Sequence, residues 1–219
     1  MKILIVSATY LEIEPLLLQF SFEKSINQKL KNYTYNNHQI DVLTTGIGMT
    51  STAYWLGKTL SSKKYDVAIN LGIAGSFDEN LNIGQTVHVT SDRISELGSE
   101  DGKAFLSLSD MNLESKSELK NTTPIQNSVI DSLENVIAIT VNTAHGNDSS
   151  IKKVKERYNP QIESMEGAAF LYVCMIEKVT CTQIRTISNK VEKRNKDNWD
   201  IPLAVKNLCS NGLGIINAL

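Results

Sequence analysis

The chain has 219 residues, 41% hydrophobic and 21% charged, a globular composition with length enough for one sizeable core, so a single domain over 1–219 is expected. A formal net charge of -2 and a pI near 6.0 carry none of the basic excess of a nucleic-acid binder, which argues against a nucleic-acid polymer as partner. The amino-terminal apolar run is broken by Glu12 and Glu14 before a signal core or membrane span is complete, so a cytoplasmic protein with no membrane partner is expected.

Along the chain, "KILIVSA" at 2–8 has the length and β-branching of a strand, and "LEIEPLLLQF" then has helical apolar spacing with Pro15 tolerable only in a first turn. "YTYNNHQIDVLTTG" reads as two strands around an Asn36-Asn37 turn. A helix is predicted from about Thr50 to Leu60, followed by strands at 66–75 and 84–92. The segment Arg93 to Pro124 is polar and irregular; no secondary structure is predicted for it, and its length suggests a lid or insertion. A strand at 136–142, a charged helix "SSIKKVKERY", a helix running to about Lys178, a strand at 182–189 and a helix from about Pro202 complete the pattern. Strands interleaved with helices predict an α/β fold, a mixed and mostly parallel central sheet covered on both faces in three α/β/α layers.

Cys174, Cys181 and Cys209 are odd in number and lack CxxC spacing, which suits buried reduced thiols. His38, His88 and His145 have no ligand-like partner at helical spacing, so no metal is expected. No GxGxxG follows the first strand and no GxxxxGK[ST] occurs, which disfavours a dinucleotide or P-loop enzyme.

Ligands in such folds sit beyond the carboxyl ends of strands. The candidates there are "SATYLEIE", "TTGIGMTS", "LGIAGSF", "VNTAHG", "ESMEG" and "RTISNK". Gly46/Gly48 and Gly72/Gly75 would let backbone amides approach a ligand, and equally suit ordinary tight turns. Glu163 and Glu166 stand where a helix begins, where the macrodipole alone favours acids.

Together these strand ends resemble the purine nucleoside phosphorylase and nucleosidase superfamily over nearly the whole chain. "KILIVSATYLEIEPL" is similar to its first βα turn, "TTGIGMTSTA" and "NLGIAGSFDENLNIGQTVHV" to its glycine turns, "IESMEGAA" to its ribose-binding Met-Glu motif and "RTISN" to its base-binding strand end. "ELGSEDGKAFLSL" and "SNKVEKRNKDNW" resemble segments of its futalosine hydrolase branch, which serves an alternative menaquinone pathway.

The resemblance implies a nucleoside phosphorylase-like fold, a small-molecule nucleoside substrate, no cofactor, and a homo-oligomer. It implies that Glu166 accepts from the ribose hydroxyls and stabilises an oxocarbenium-like sugar, with Met165 packed on the ribose. Glu163 takes no role from it. Members that use phosphate resemble one another in a first-loop arginine, whereas residues 3–23 here contain no Lys or Arg. Glu12 falls where related nucleosidases carry the acid that activates water. Arg185 matches an arginine of the water or phosphate site, and Thr45, Gly46, Ala74 and Gly75 match the lining of the water and sugar site. Asn189 replaces the aspartate of adenine-releasing relatives; an amide has one fixed donor and one fixed acceptor, which suits a 6-oxopurine but cannot protonate it. The proton donor is left open, as is Arg194, either a partner for a substrate carboxylate or part of an exposed lysine-rich turn.

Overall fold

The computed structural model describes residues 1–102, 104–113, 118–121 and 124–219. In chain order these form β1 (Lys2–Ser7), α1 (Glu14–Leu17), β2 (Ser21–Ser25), β3 (Leu30–Tyr35), β4 (His38–Thr44), α2 (Met49–Ser62), β5 (Val67–Ser76) and β6 (Thr86–Asp92). There follow β7 (Gly98–Asp101), β8 (Ala104–Ser107), β9 (Leu119–Lys120), α3 (Ser128–Asp131), β10 (Glu134–Thr140) and α4 (Asp148–Tyr158). The last are β11 (Ile162–Ser164), α5 (Gly167–Glu177), β12 (Cys181–Lys190) and α6 (Ile201–Asn217).

The apolar run of β1 is buried from Ile3 to Ser7 because it pairs in parallel on both sides, with β4 and with β5, and is covered on both faces. β12 adds to the far side of β5 in parallel, giving a parallel core β4-β1-β5-β12. The sheet is mixed and mostly parallel, as expected, with antiparallel pairing confined to particular strands. β2, β3 and β4 form an antiparallel meander, and β6 pairs antiparallel with β12 and β9. One apolar layer joins the sheet to α1, α3 and α6 through Leu16, Ile130, Leu208 and Ile215. The other joins it to α2 and α5 through Leu56, Leu60, Phe170 and Val173.

β11 closes the architecture. It pairs in parallel with β10 and antiparallel with the end of β5, so β5, β12, β6, β10 and β11 form a ring. Ala74, Val87, Val89, Val136, Ala138, Ile162 and Ile187, all from ring strands, pack together as one buried cluster.

Local chemistry sets the helix ends. The Asn147 side chain accepts from the Ser149 and Ser150 amides at the start of α4, and Asn159 ends that helix in the left-handed region at φ 44°. Asp200 caps α6 by accepting from the Leu203 amide, with Pro202 in its first turn as predicted. The polar stretch expected to lack secondary structure instead contains the β7–β8 hairpin and the short β9. Arg157 from α4 lies 3.7 Å over the Phe105 ring of that hairpin, a cation–π contact that holds an otherwise polar ribbon. Lys103, residues 114–117 and residues 122–123 of this stretch lie outside the described residues. All three cysteines are free thiols and buried. Among the described residues no helix is long and apolar enough to cross a membrane.

Candidate active site

The turn after β1 carries Glu12, and four donors fix its carboxylate. Oε2 accepts from the Thr9 amide at 2.9 Å, the Thr9 hydroxyl at 2.8 Å and the Ser7 hydroxyl at 3.3 Å, while Oε1 accepts from the Ile73 amide of β5 at 3.2 Å. Such donors immobilise it.

Gly72 of β5 lies beneath this carboxylate. A Cβ there would stand 2.6 Å from Arg185 Nη1 and 3.3 Å from Glu12 Oε1. The first distance is far inside contact, so glycine is required for Arg185 and Glu12 to share this face, whatever the backbone turn demands. Arg185 projects from β12, is 1% exposed, and donates from Nη2 to Asn70 Oδ1 at 2.6 Å; Asn70 is itself anchored by donating to the Val6 carbonyl. Burial lowers the Arg185 pKa, and the charges of Glu166, Glu12 and Asp92 counter that pull. An arginine so surrounded stays cationic.

Glu166 occupies the N-cap position of α5, yet its side chain does not cap that helix. Its Oε1 accepts instead from the Gly48 amide, 3.0 Å away in the loop after β4. The acid is therefore turned across to another strand end rather than spent on its own helix dipole. Burial raises its pKa above the ordinary carboxylate range; Arg185 and the Gly48 amide oppose the rise, and the Glu12 charge adds to it. Glu12, Glu166 and Arg185 thus form one electrostatic cluster.

Gly46 and Gly48 both adopt positive φ, 94° and 95°, and their turn delivers the Gly48 amide to Glu166. Thr45 is buried and its hydroxyl donates to the Gly46 carbonyl at 2.8 Å, so it holds the turn from behind. Lys29 Nζ stands 3.6 Å from where a Gly46 Cβ would be, a cation that the reading of the first loop did not include.

The other end of the site lies along a row of three strands. Gly75 of β5 is in register with Asn189 of β12 on one side and Glu163 of β11 on the other. A Cβ on Gly75 would meet Val191 Cγ2 at 2.9 Å and Asn189 Nδ2 at 3.2 Å. Asn189 Oδ1 accepts from the Ser188 hydroxyl at 2.8 Å, and its Nδ2 donates to the Lys190 carbonyl at 2.9 Å. The Ala74 carbonyl also lies within reach of the Ser188 hydroxyl, at 3.2 Å. Met165, half-buried, packs against the cluster of Phe77, Val141 and Val191.

Glu163 corrects the sequence reading. It is no helix-entry acid but the centre of β11, 6% exposed, and its carboxylate holds His145 through both oxygens. The His145 amide donates to Oε1 at 3.0 Å and Nδ1 donates to Oε2 at 2.6 Å. Asp92 and Asn70 were also missed. Asp92 is fully buried beneath the start of α5, accepting from Thr140, Gln183 and the Arg93 amide, and burial pushes its pKa up to about 6. Arg194 is exposed and stacks 5.3 Å over Trp199.

Residues 2–216 match the family model described as the phosphorylase superfamily. The chain is 27% identical to the 5'-methylthioadenosine/S-adenosylhomocysteine nucleosidase of Glaesserella parasuis, with 99% of each chain covered. It is 26% identical to the futalosine hydrolase of Acidothermus cellulolyticus over 77% of this chain and 71% of that one. The futalosine hydrolase structure from Helicobacter pylori superposes with a TM-score of 0.83 at 17% identity, covering 100% of this chain and 98% of that one, which is a likeness of fold.

Proposed function

The chain belongs to the phosphorylase superfamily and is an N-glycosyl hydrolase, and we propose that the bond it cleaves is the one joining ribose to hypoxanthine in futalosine. Water would be the nucleophile, with hypoxanthine and dehypoxanthine futalosine as products, a step in menaquinone biosynthesis. The observation that carries this reading is the shared face over Gly72, where Arg185 Nη1 and Glu12 Oε1 stand 2.6 and 3.3 Å from one point, with the charge of Glu166 acting on the same guanidinium.

Glu12, held by four donors, would take a proton from water attacking the anomeric carbon. Glu166 would accept from the ribose hydroxyls, and its charge lowers the energy of the oxocarbenium-like transition state. The raised pKa of Glu166 suits a group that is costly to leave charged in the free site and is compensated when positive charge develops on the sugar. Asn189, at the end of β12, supports a 6-oxopurine because its amide offers one donor and one acceptor. Met165, Ala74 and Gly75 would flank the sugar and base, with Thr45 and Gly46 shaping the wall beside Glu166.

A methylthioadenosine/S-adenosylhomocysteine nucleosidase is the second reading, favoured by full-length similarity to one such enzyme. Exposed apolar side chains on α2 and α5, Tyr54, Tyr172, Met175 and Ile176, support association of copies of the chain. The decisive experiment is chromatography of bases released from futalosine, inosine, methylthioadenosine and adenosylhomocysteine, with and without phosphate. Hypoxanthine released from futalosine in phosphate-free buffer is expected. Preferred adenine release would establish the second reading, and strict dependence on phosphate would make the enzyme a phosphorylase.

A further inference from the structure

We propose that His145, held by Glu163, is the acid that protonates the departing base. This rests on the nucleosidase reading above and supplies what Asn189 cannot, since a carboxamide has no proton to give at neutral pH. A purine leaves a ribose readily only when the electron pair of the broken bond is neutralised, so a donor at the base end is required.

The register brings that donor to the base end. Glu163, Gly75 and Asn189 form one row across β11, β5 and β12. Asn189 Nδ2 and Glu163 Cγ lie 3.2 and 3.6 Å from one point above the Gly75 Cα. The Glu163 side-chain stem and the Asn189 amide therefore flank the same glycine, a residue that has no side chain to separate them. Both oxygens of Glu163 are taken by His145, through its amide and through Nδ1. That fixes the imidazole plane and leaves Nε2 as its free nitrogen, with no protein hydrogen bond among the described residues. The Phe77 ring packs edge-on against the imidazole at 5.9 Å.

A carboxylate on Nδ1 fixes the orientation of the ring and directs Nε2 away from it. The other charges around His145 are Glu96, Lys153 and Arg157, which border with it a recess of about 280 Å³. Arg194 approaches the neighbouring Gly146.

The step balances. The C1′–N9 bond breaks and its electron pair passes into the purine, whose N7 takes the proton from His145 Nε2. The oxygen of water bonds to C1′ and gives its proton to Glu12. Solvent then returns a proton to His145 and removes one from Glu12.

The test uses futalosine and analogues substituted on the purine so that the departing base becomes a progressively stronger acid. For the wild type, kcat/KM should depend weakly on that acidity, because His145 supplies the proton. His145→Gln should lose roughly 100-fold or more on futalosine itself, and the loss should shrink as the base becomes more acidic. Glu163→Gln should show the same trend with a smaller loss. An equal loss on every analogue would make the pair structural and overturn the proposal, as would no loss on futalosine. Failure of the wild type to cleave any of these substrates would instead sink the nucleosidase reading, and the proton donor with it.

Discussion

The two ends of the site are built differently. At the sugar end, Glu12 and Glu166 are gripped by backbone amides of Ile73, Thr9 and Gly48, groups that cannot move without moving a strand or turn. At the other end side chains share the work with the main chain: Glu163 holds His145 through Nδ1 as well as its amide, and Asn189 is held by the Ser188 hydroxyl as well as the Lys190 carbonyl. Backbone donors keep charges in position before a substrate arrives, which is where electrostatic stabilisation has its value. The amide of Asn189 is satisfied by its own neighbours and must exchange those partners for a base. On the proposed reading, catalysis is set largely by main chain, and choice of base by residues that can be exchanged without disturbing it.

Four substitutions sharpen or break that contrast, in order of expected effect. Glu12→Gln should reduce kcat by about 1,000-fold while substrate binding measured by calorimetry is largely kept, since a carboxamide cannot take the proton from water. Glu166→Ala should cost at least about 100-fold in turnover through loss of transition-state stabilisation; near-normal rates would mean that the Gly48 contact is only structural. Asn189→Asp should leave the sugar end intact and move the ratio of kcat/KM for 6-amino over 6-oxo substrates by about tenfold, a difference worth about 1.4 kcal/mol. Unchanged selectivity would remove Asn189 from the base site.

The smallest effect concerns stability. Asp92 has a folded pKa of about 6 against an ordinary value of 3.8, so between these values the folded chain binds the proton more tightly than the unfolded one. Its contribution therefore favours folding at the acidic end of that window and declines as pH rises through about 6. Asp92→Asn should flatten this part of the stability profile measured by urea unfolding, and an unaltered slope would show that another group titrates there.

Much of this was legible in the sequence, for reasons that can be named. The parallel core was visible because β1 and β5 are largely apolar runs ending on polar or glycine residues. Glu12, Glu166, Arg185 and Asn189 were singled out because the stretches that hold them resemble the family's motifs at strand ends, the place where such folds bind ligands. Glu163 was not. Two positions from a methionine and three from Glu166, it has the look of a first-turn acid, and nothing local shows that a three-residue strand holds it away from the helix. Its partner His145 lies in a different loop and has no helical spacing to advertise it. The β7–β8 hairpin was hidden by polarity, although Asp101-Gly102 is a recognised hairpin turn and Gly102 indeed has a positive φ of 60°. The antiparallel pairing of β6 with β12 was equally hidden, since its orientation is a matter of connection and not of residue type.

The ring of strands has a bearing on how the protein is made. Its last seam joins Ser76 to Ile162, positions far apart along the chain, and contacts of such separation form late. Met165 and Glu166 follow that seam directly. A polypeptide still emerging from the ribosome can assemble its first βα units, yet it should have no capacity to hydrolyse nucleosides until the seam is zipped.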